Sequence, residues 1–225
     1  MNRELKLLPV FSGVFVGVLV LSNILASKMV ALGPFVFDGG TLLFPLSYIF
    51  GDVLTEVYGY KQSRKVIWTG FVMLVVMALF IWIIGALPAE PSWTFQESFN
   101  NILLQMPRIS IASIGGYFLG EYSNAVVLSA VKKKTGGKHL WARTISSTLA
   151  GEAVDSFVFV MAAFAGLYPA RVLVTMAVSN YIFKTAIEVV FTPLTYLAVD
   201  FTKKTEQIDV YDWGEKYSPL PQFKS

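Results

Sequence analysis

Eight ionisable side chains lie inside stretches of this 225-residue sequence that are otherwise strongly apolar. Charged groups in such segments are costly and usually mark a functional interior. Six are acids and two are bases: Asp52, Glu56, Glu121, Glu152, Asp155 and Glu188, with Lys28 and Lys184. Because two cations do not balance six carboxylates, the surplus carboxylates require water, bound protons or the donor groups of a ligand. The inventory therefore predicts a polar binding site.

The spacing of these groups indicates which of them act together. Residues three or four apart share a helix face, and three such pairs occur: Asp52 with Glu56, Glu152 with Asp155, and Lys184 with Glu188. The two acidic pairs need a nearby cation, water or proton, whereas Lys184 and Glu188 can pair with each other. Glu56 lies near a segment end, and we expect it to extend toward Lys61 or Arg64. The groups nearer mid-depth favour a water-accessible site: Asp52, Glu152, Asp155 and Lys184.

A Gly-acid dipeptide recurs at positions 51–52, 120–121 and 151–152. The first and third copies fall in segments predicted to run in opposite directions, which is typical of inverted repeats that meet at a midplane site in transporters. Ser22-Asn23 ahead of Lys28 is similar to Ser179-Asn180 ahead of Lys184. Short dipeptides also recur by chance, so the sequence leaves a repeat and a coincidence both open.

Catalytic patterns are scarce. The sequence has no HExxH, no GxSxG and no phosphate-binding loop; it has no cysteine, and its single histidine, His139, lies in a basic loop. We therefore expect no enzymatic activity, no cofactor and no metal site, and favour a carrier for a small polar solute. An intramembrane enzyme with Asp52 opposite Asp155, or a purely structural membrane protein, are the alternatives.

The elements that must position these residues are membrane spans. The sequence is 55% hydrophobic and only 15% charged, against about 25% charged for a soluble domain, and its mean hydropathy is +0.59. A spanning helix needs roughly 20 apolar residues. The predicted fold is an all-α, polytopic bundle of six spans: Leu8–Leu32, Leu42–Tyr58, Val66–Leu87, Ile109–Val131, Thr144–Leu167 and Val172–Val199.

The basic residues predict the orientation of the bundle. Most of the 18 lie at the N-terminus, after spans two and four, and in the tail. Because Lys and Arg stay on the cytoplasmic side, both termini are predicted to be cytoplasmic. We expect these residues to meet anionic lipid heads and not nucleic acid. The predicted organisation is a transport domain over 1–200 and a short cytoplasmic tail over 201–225.

Two patterns concern the surface of the bundle. Helical spacing in the loop 88–107 predicts a short amphipathic helix on the outer interface, formed by Phe95, Phe99, Ile102 and Met106. Gly13 and Gly17 form a small-xxx-small motif that lets helices approach closely. That motif fits internal packing and a homodimer face equally well.

Three long segments match a known pattern in order: FPLSYIFGDVLTEVYGYKQSRKVIW over 44–68, KKKTGGKHLWARTISSTLAGEAVDSFVF over 132–159, and SNYIFKTAIEVVFTPLTYL over 179–197. They resemble the queuosine precursor transporter family, bacterial membrane proteins related to vitamin-uptake transporters. The resemblance implies six spans in the plasma (inner) membrane and import of 7-deazaguanines such as preQ0 and preQ1 for tRNA modification. It also implies a fold similar to the substrate-binding subunits of energy-coupling-factor importers. A vitamin-importer subunit energised by a separate ATPase module is the alternative function.

The resemblance further implies site residues. The positions that match the family pattern are Asn23, Asp52, Arg108, Asp155 and Lys184. This chain has Gly51-Asp52 where members often have Thr-Asp. It has glutamates at 121 and 152 where many members have amides or other polar residues.

A guanine-like ring suits the same inventory. Its N–H and exocyclic amine can both donate to one carboxylate, for which we expect Asp155 or Glu152, and Asp52 then takes the other polar end. The ring carbonyl needs a donor such as Lys184 or Asn180. Stacking faces are expected from Tyr48, Phe50, Tyr181 and Phe183. The predicted substrate-binding set is Asn23, Asp52, Arg108, Glu152, Asp155, Asn180, Lys184 and Glu188.

Overall fold

The protein is an all-α, multi-pass membrane protein whose described residues include a small β-hairpin. In the computed structural model, residues 5–134 and 140–210 are described. The elements are α1 (Leu8–Leu25), β1 (Met29–Leu32), β2 (Phe35–Asp38), a 3₁₀ helix (Gly39–Leu43), α2 (Phe44–Tyr58), α3 (Tyr60–Ala86), α4 (Gln96–Leu103), α5 (Met106–Lys134), α6 (Leu140–Phe164) and α7 (Ala170–Glu206). His139 lies outside the described residues, as do the side chains of Tyr48 and Glu121.

Five helices in the described part of the chain are long and apolar enough to cross a membrane: α1, α3, α5, α6 and α7. The predicted second span corresponds to α2, which has only 15 residues. At 1.5 Å per residue, α2 is about 22 Å long, shorter than the roughly 30 Å hydrocarbon core. A sixth full span therefore stays a prediction.

The β-hairpin was not expected from the sequence, and it shortens the first predicted span. The helix α1 ends at Leu25 and not at Leu32. The strands β1 and β2 then pair antiparallel, with Met29 opposite Asp38 and Leu32 opposite Phe35. Gly33 makes the turn with φ = +58°, a conformation that glycine adopts without strain. Apolar residues on both sides of Gly33-Pro34 are a hairpin signal.

The hairpin and the 3₁₀ helix that follows it pack between α1 and α7. A Cβ atom on Gly40 would lie 2.3 Å from the Ser22 carbonyl oxygen of α1, so only glycine fits this approach. On the other side, Phe37 stacks on Phe183 with ring centroids 5.3 Å apart. The Val36 amide donates to Ser179 Oγ at 3.2 Å. We call the end of the bundle that holds residues 29–43 the hairpin end.

The opposite end, the terminus end, joins the start of α1 to the ends of α2 and α7. The Glu206 carboxylate accepts hydrogen bonds from the Leu7 and Lys6 amides and from the Tyr58 hydroxyl. Lys203 pairs with Glu56 at 2.8 Å. Glu56 was expected to reach Lys61 or Arg64 within its own part of the chain. The helix α7 continues seven residues beyond the predicted span end at Val199, and this extension supplies both contacts.

Close packing of α5 on α6 explains two of the recurring glycines. A Cβ on Gly120 would lie 3.0 Å from the Gly151 carbonyl oxygen, and a Cβ on Gly151 would lie 3.0 Å from the Gly120 carbonyl oxygen. These two glycines thus permit a close helix crossing. Gly51 has only the Phe15 ring nearby, at 3.8 Å, so the first copy of the dipeptide does not share this packing role.

The predicted short helix is present as α4 with Phe99 and Ile102 in it, and Phe99 packs edge-on against Trp93 at 6.2 Å. Met106 was wrongly assigned to this helix, because it begins α5 and is fully buried. The location of α4 at the outer interface stays a prediction.

The small-xxx-small face of α1 is open. No other part of the described structure lies within 4 Å of a Cβ built on Gly13 or Gly17. The internal-packing interpretation of this motif therefore has no support among the described helices.

Candidate functional site

A cavity of about 480 Å³ lies inside the bundle, lined by residues of α1, the hairpin segment, α2, α3, α5, α6 and α7. Small-molecule sites typically measure about 300–1,000 Å³. Seven of the eight predicted site residues line this one cavity: Asn23, Asp52, Glu152, Asp155, Asn180, Lys184 and Glu188. The helix bundle thus gathers residues that are up to 165 positions apart in the sequence.

Arg108 is the predicted residue that the structure places elsewhere. Its Nε donates to the Ala162 carbonyl at 2.7 Å, and its Nη2 donates to the Ala165 carbonyl at 2.5 Å. These carbonyls lie at the end of α6, where the last turn of a helix has no internal donors. Arg108 therefore caps α6 from the start of α5.

Lys184 is the cationic centre of the cavity. Its ammonium pairs with the Asp155 carboxylate and lies 3.7 Å from Glu152 Oε2. The Phe44 ring lies 4.9 Å from the same nitrogen, within the range of a cation–π contact. Lys184 thus pairs across helices with α6, a contact that the spacing of Lys184 and Glu188 within α7 did not predict.

Asp38 is a lining residue that sequence reasoning missed. Its Oδ1 accepts from the Thr41 amide at 3.2 Å, and its Oδ2 accepts from the Thr41 hydroxyl at 2.9 Å and from Asn180 Nδ2 at 3.0 Å. An aspartate that accepts the amide three residues later is a typical helix N-cap. Here it caps the 3₁₀ helix and ties the hairpin end to α7. Asp38 directly before Gly39-Gly40-Thr41 was the available signal.

Asp52 has a different environment in the same cavity. Its carboxylate makes no hydrogen bond and no ion pair with any residue in the described ranges. The charges that act on it are the carboxylates of Glu188 and Glu56, which repel it. Glu56 is neutralised at the surface by Lys203. Asp52 is therefore an acceptor that the described protein leaves available to a ligand.

Two further lining residues present acceptor atoms to the cavity. Asn23 is 4% exposed; its Nδ2 donates to the Leu19 carbonyl at 3.0 Å, while its Oδ1 has no partner among the described residues. Glu152 Oε2 is likewise buried without a hydrogen bond. Since buried polar atoms are nearly always hydrogen-bonded, these atoms are suited to donors on a bound molecule.

Aromatic rings form part of the cavity wall, but the expected rings of Phe50, Tyr181 and Phe183 are not among them. Phe15, Phe44, Phe71, Tyr117 and Phe159 line it. Of the expected rings, Phe50 packs on Phe11 at 5.6 Å and Phe183 packs on Phe37. Flat apolar walls of this kind can hold a planar ring.

Among the described residues, five carboxylates and one lysine line the cavity: Asp38, Asp52, Glu152, Asp155 and Glu188, with Lys184. No group of three or more His, Cys, Asp or Glu side chains in these residues could hold a metal ion. The arrangement is rich in acceptors and poor in donors. It suits a small planar molecule that carries several N–H groups or a positive charge.

Residues 38–198 match the protein family described as "Putative vitamin uptake transporter". The chain belongs to this vitamin-uptake-transporter family. The match begins at Asp38 and includes Asp52, Glu152, Asp155 and Lys184, so most of the charged lining of the cavity lies within the family region.

Three relatives of this vitamin-uptake-transporter chain have more specific names. The "Probable queuosine precursor transporter" of Bacillus subtilis is 29% identical over 80% of this chain and 79% of its own length. The Haemophilus influenzae protein of the same name is 29% identical over 72% of this chain and 70% of its own length. The "Queuosine precursor transporter" of Escherichia coli is 25% identical over 77% of each chain. No solved structure matches the fold.

Proposed function

We propose that this protein is a transporter that imports queuosine precursors, 7-deazaguanines such as preQ0 and preQ1. The central observation is that seven predicted site residues from separate helices meet in one cavity of suitable volume. The names of the three relatives support the same substrate class.

The cavity chemistry supports recognition of the guanine edge by Glu152 and Lys184. A guanine ring presents an N–H and an exocyclic amine beside a carbonyl oxygen. Glu152 Oε2 is an unfilled acceptor, and the Lys184 ammonium, a donor, lies 3.7 Å from it. Asp155 is occupied by Lys184, so of the two carboxylates considered for this edge we assign Glu152. Phe44 supplies a ring beside the same pair.

The orientation is part of the proposal. We place the terminus end in the cytoplasm and the hairpin end outside the bacterial plasma membrane, because the basic residues flank the spans on the terminus side. Asp38, Gly40 and Thr41 of the hairpin end line the cavity, and we expect a substrate to enter past them. The exposed Gly13 and Gly17 face is the best site for a homodimer contact.

Uptake of radiolabelled preQ1 into cells that lack other queuosine-precursor transporters tests the function. We expect saturable uptake by the native protein and loss of at least about 90% in Glu152→Leu and Lys184→Met, because each removes one side of the guanine contact (about 1.5–3 kcal/mol for a charged hydrogen bond). Glu56→Leu is the matched control, since its carboxylate lies at the surface. Absence of uptake by the native protein at verified membrane abundance contradicts the proposal.

The family description favours a second candidate, a substrate-binding subunit of a vitamin importer. In that case a separate ATPase module energises transport. Purification from a native-like membrane distinguishes the two: a stable complex with an ATP-hydrolysing partner supports the subunit, and uptake by the protein alone in proteoliposomes supports the independent transporter.

A further inference from the structure

The polar groups of the cavity divide into those that are satisfied within the protein and those that are not. Asp38 accepts three hydrogen bonds, and Asp155 pairs with Lys184. Asp52 has no partner among the described residues, and its electrostatic neighbours are both acidic. Asp52 is therefore the cavity carboxylate whose negative charge has no compensating partner among the described residues.

The guanine edge is neutral, so it does not supply the positive charge that Asp52 lacks. The N–H donors of that edge are matched by Glu152 Oε2, while Asn23 Oδ1 offers one further neutral acceptor. The negative charge of Asp52 is stabilised by a nearby positive charge, and a protonated amine supplies that charge together with charge-assisted hydrogen bonds.

We propose that the cavity selects 7-deazaguanines that carry a protonated amine on the side chain, as preQ1 does, over the nitrile form preQ0, and that Asp52 binds this amine. This inference rests on the proposed function. It adds a specificity-determining residue and a preferred charge state of the substrate.

The independent observation behind this proposal is Asn23. Its 4% exposed side chain lines the same cavity with an unpartnered oxygen. The cavity is therefore built to receive donors from a bound molecule, and Asp52 belongs to that lining and not to a solvated acidic surface. The neutral nitrile of preQ0 is an acceptor, so it would meet a carboxylate with no donor between them.

Equilibrium binding of preQ1 and of preQ0 to the purified full-length protein at neutral pH tests this selectivity. We expect the native protein to bind preQ1 about tenfold or more tightly than preQ0, as a charged hydrogen bond predicts. In Asp52→Asn, preQ1 affinity should fall by about the same factor while preQ0 affinity changes by less than about twofold. Retained preQ0 binding also shows that the variant is folded.

Glu56→Gln is the control for a general charge effect, because Glu56 lies one turn from Asp52 on α2 and pairs with Lys203 outside the cavity. It should change either affinity by less than about twofold, because Lys203 offsets the charge of Glu56 at the surface. Equal affinity of the native protein for preQ1 and preQ0 would overturn the selectivity alone, as would an equal loss for both ligands in Asp52→Asn. Failure of the native protein to bind either compound would overturn the proposed function itself.

Discussion

Asp38 and Asp52 line the same cavity, yet the protein treats the two carboxylates differently. Asp38, at the hairpin end, is 2% exposed and accepts hydrogen bonds from Thr41 and Asn180. Asp52, in the middle of α2, is half-buried and meets only like charges in the described structure. The number of partners, and not the residue type, therefore separates a carboxylate that holds the fold together from one that is available to a ligand.

The largest expected effect comes from removing the partner of a third carboxylate, Asp155, so that it becomes unpaired as Asp52 is. Asp155 is paired by Lys184, so Lys184→Met leaves it buried without a cation. Breaking a buried pair in this way should lower the free energy of unfolding by about 3 kcal/mol, measured by denaturation in detergent. Lys184→Met combined with Asp155→Asn should recover part of this loss. Native stability of the single variant would contradict the pairing.

The second effect concerns the close contact between Gly40 and α1, which lies next to Asp38 in the chain. In Gly40→Ala, the new Cβ would meet the Ser22 carbonyl oxygen at 2.3 Å, so the hairpin must shift away from α1. We expect a loss of about 1–3 kcal/mol in the free energy of unfolding, seen as a lower Tm. Gly13→Ala is the control, because its Cβ meets nothing within 4 Å in the described structure. If both variants melt alike, the close approach of the hairpin to α1 is not present.

The third prediction compares the two aspartates directly. Asp38→Asn turns an amide toward the Asn180 amide and should cost about 1–2 kcal/mol of unfolding free energy. Asp52→Asn removes a repelling charge and should change this free energy by less than about 0.5 kcal/mol. Thermal unfolding of the two ligand-free variants measures both values. A larger loss in Asp52→Asn than in Asp38→Asn would reverse the comparison.

The smallest effect is expected at the terminus end. The Lys203–Glu56 pair is at least partly exposed, and surface pairs contribute about 0–1 kcal/mol. Lys203→Met should therefore lower the Tm by no more than a few degrees, with a reduced effect at high salt because salt screens exposed charges. A large, salt-independent loss would show that α7 depends on this contact.

The sequence was sufficient for the apolar helices and for most charged residues of the cavity. Asp52, Glu152, Asp155 and Lys184 stand out because apolar surroundings make any charge conspicuous. The partners of these residues could not be predicted in the same way. Spacing allows Lys184 to pair with Glu188, whereas only the packing of α6 on α7 brings Asp155 to Lys184. Local periodicity describes one helix at a time, whereas this contact depends on how two helices are rotated against each other.

Arg108 and Asp38 illustrate two further errors of sequence-based prediction: the first was wrongly placed in the site, and the second was missed. Arg108 matched a family pattern and was expected in the site, but its guanidinium caps the end of α6. Asp38 was missed because the strand β2 falls in the short loop between the first two predicted spans, to which no structural role was assigned. The Gly33-Pro34 turn signal was present, but helical hydrophobicity over residues 8–32 outweighed it.

The most direct measurement is the distance from the side-chain amine of bound preQ1 to each aspartate in an experimentally determined complex. We expect the amine nitrogen to lie within about 3.2 Å of an Asp52 carboxylate oxygen, with the hydrogen bonds from Thr41 and Asn180 to Asp38 unchanged. An amine bound to Asp38 in place of those bonds, or a ligand outside the cavity, would contradict it.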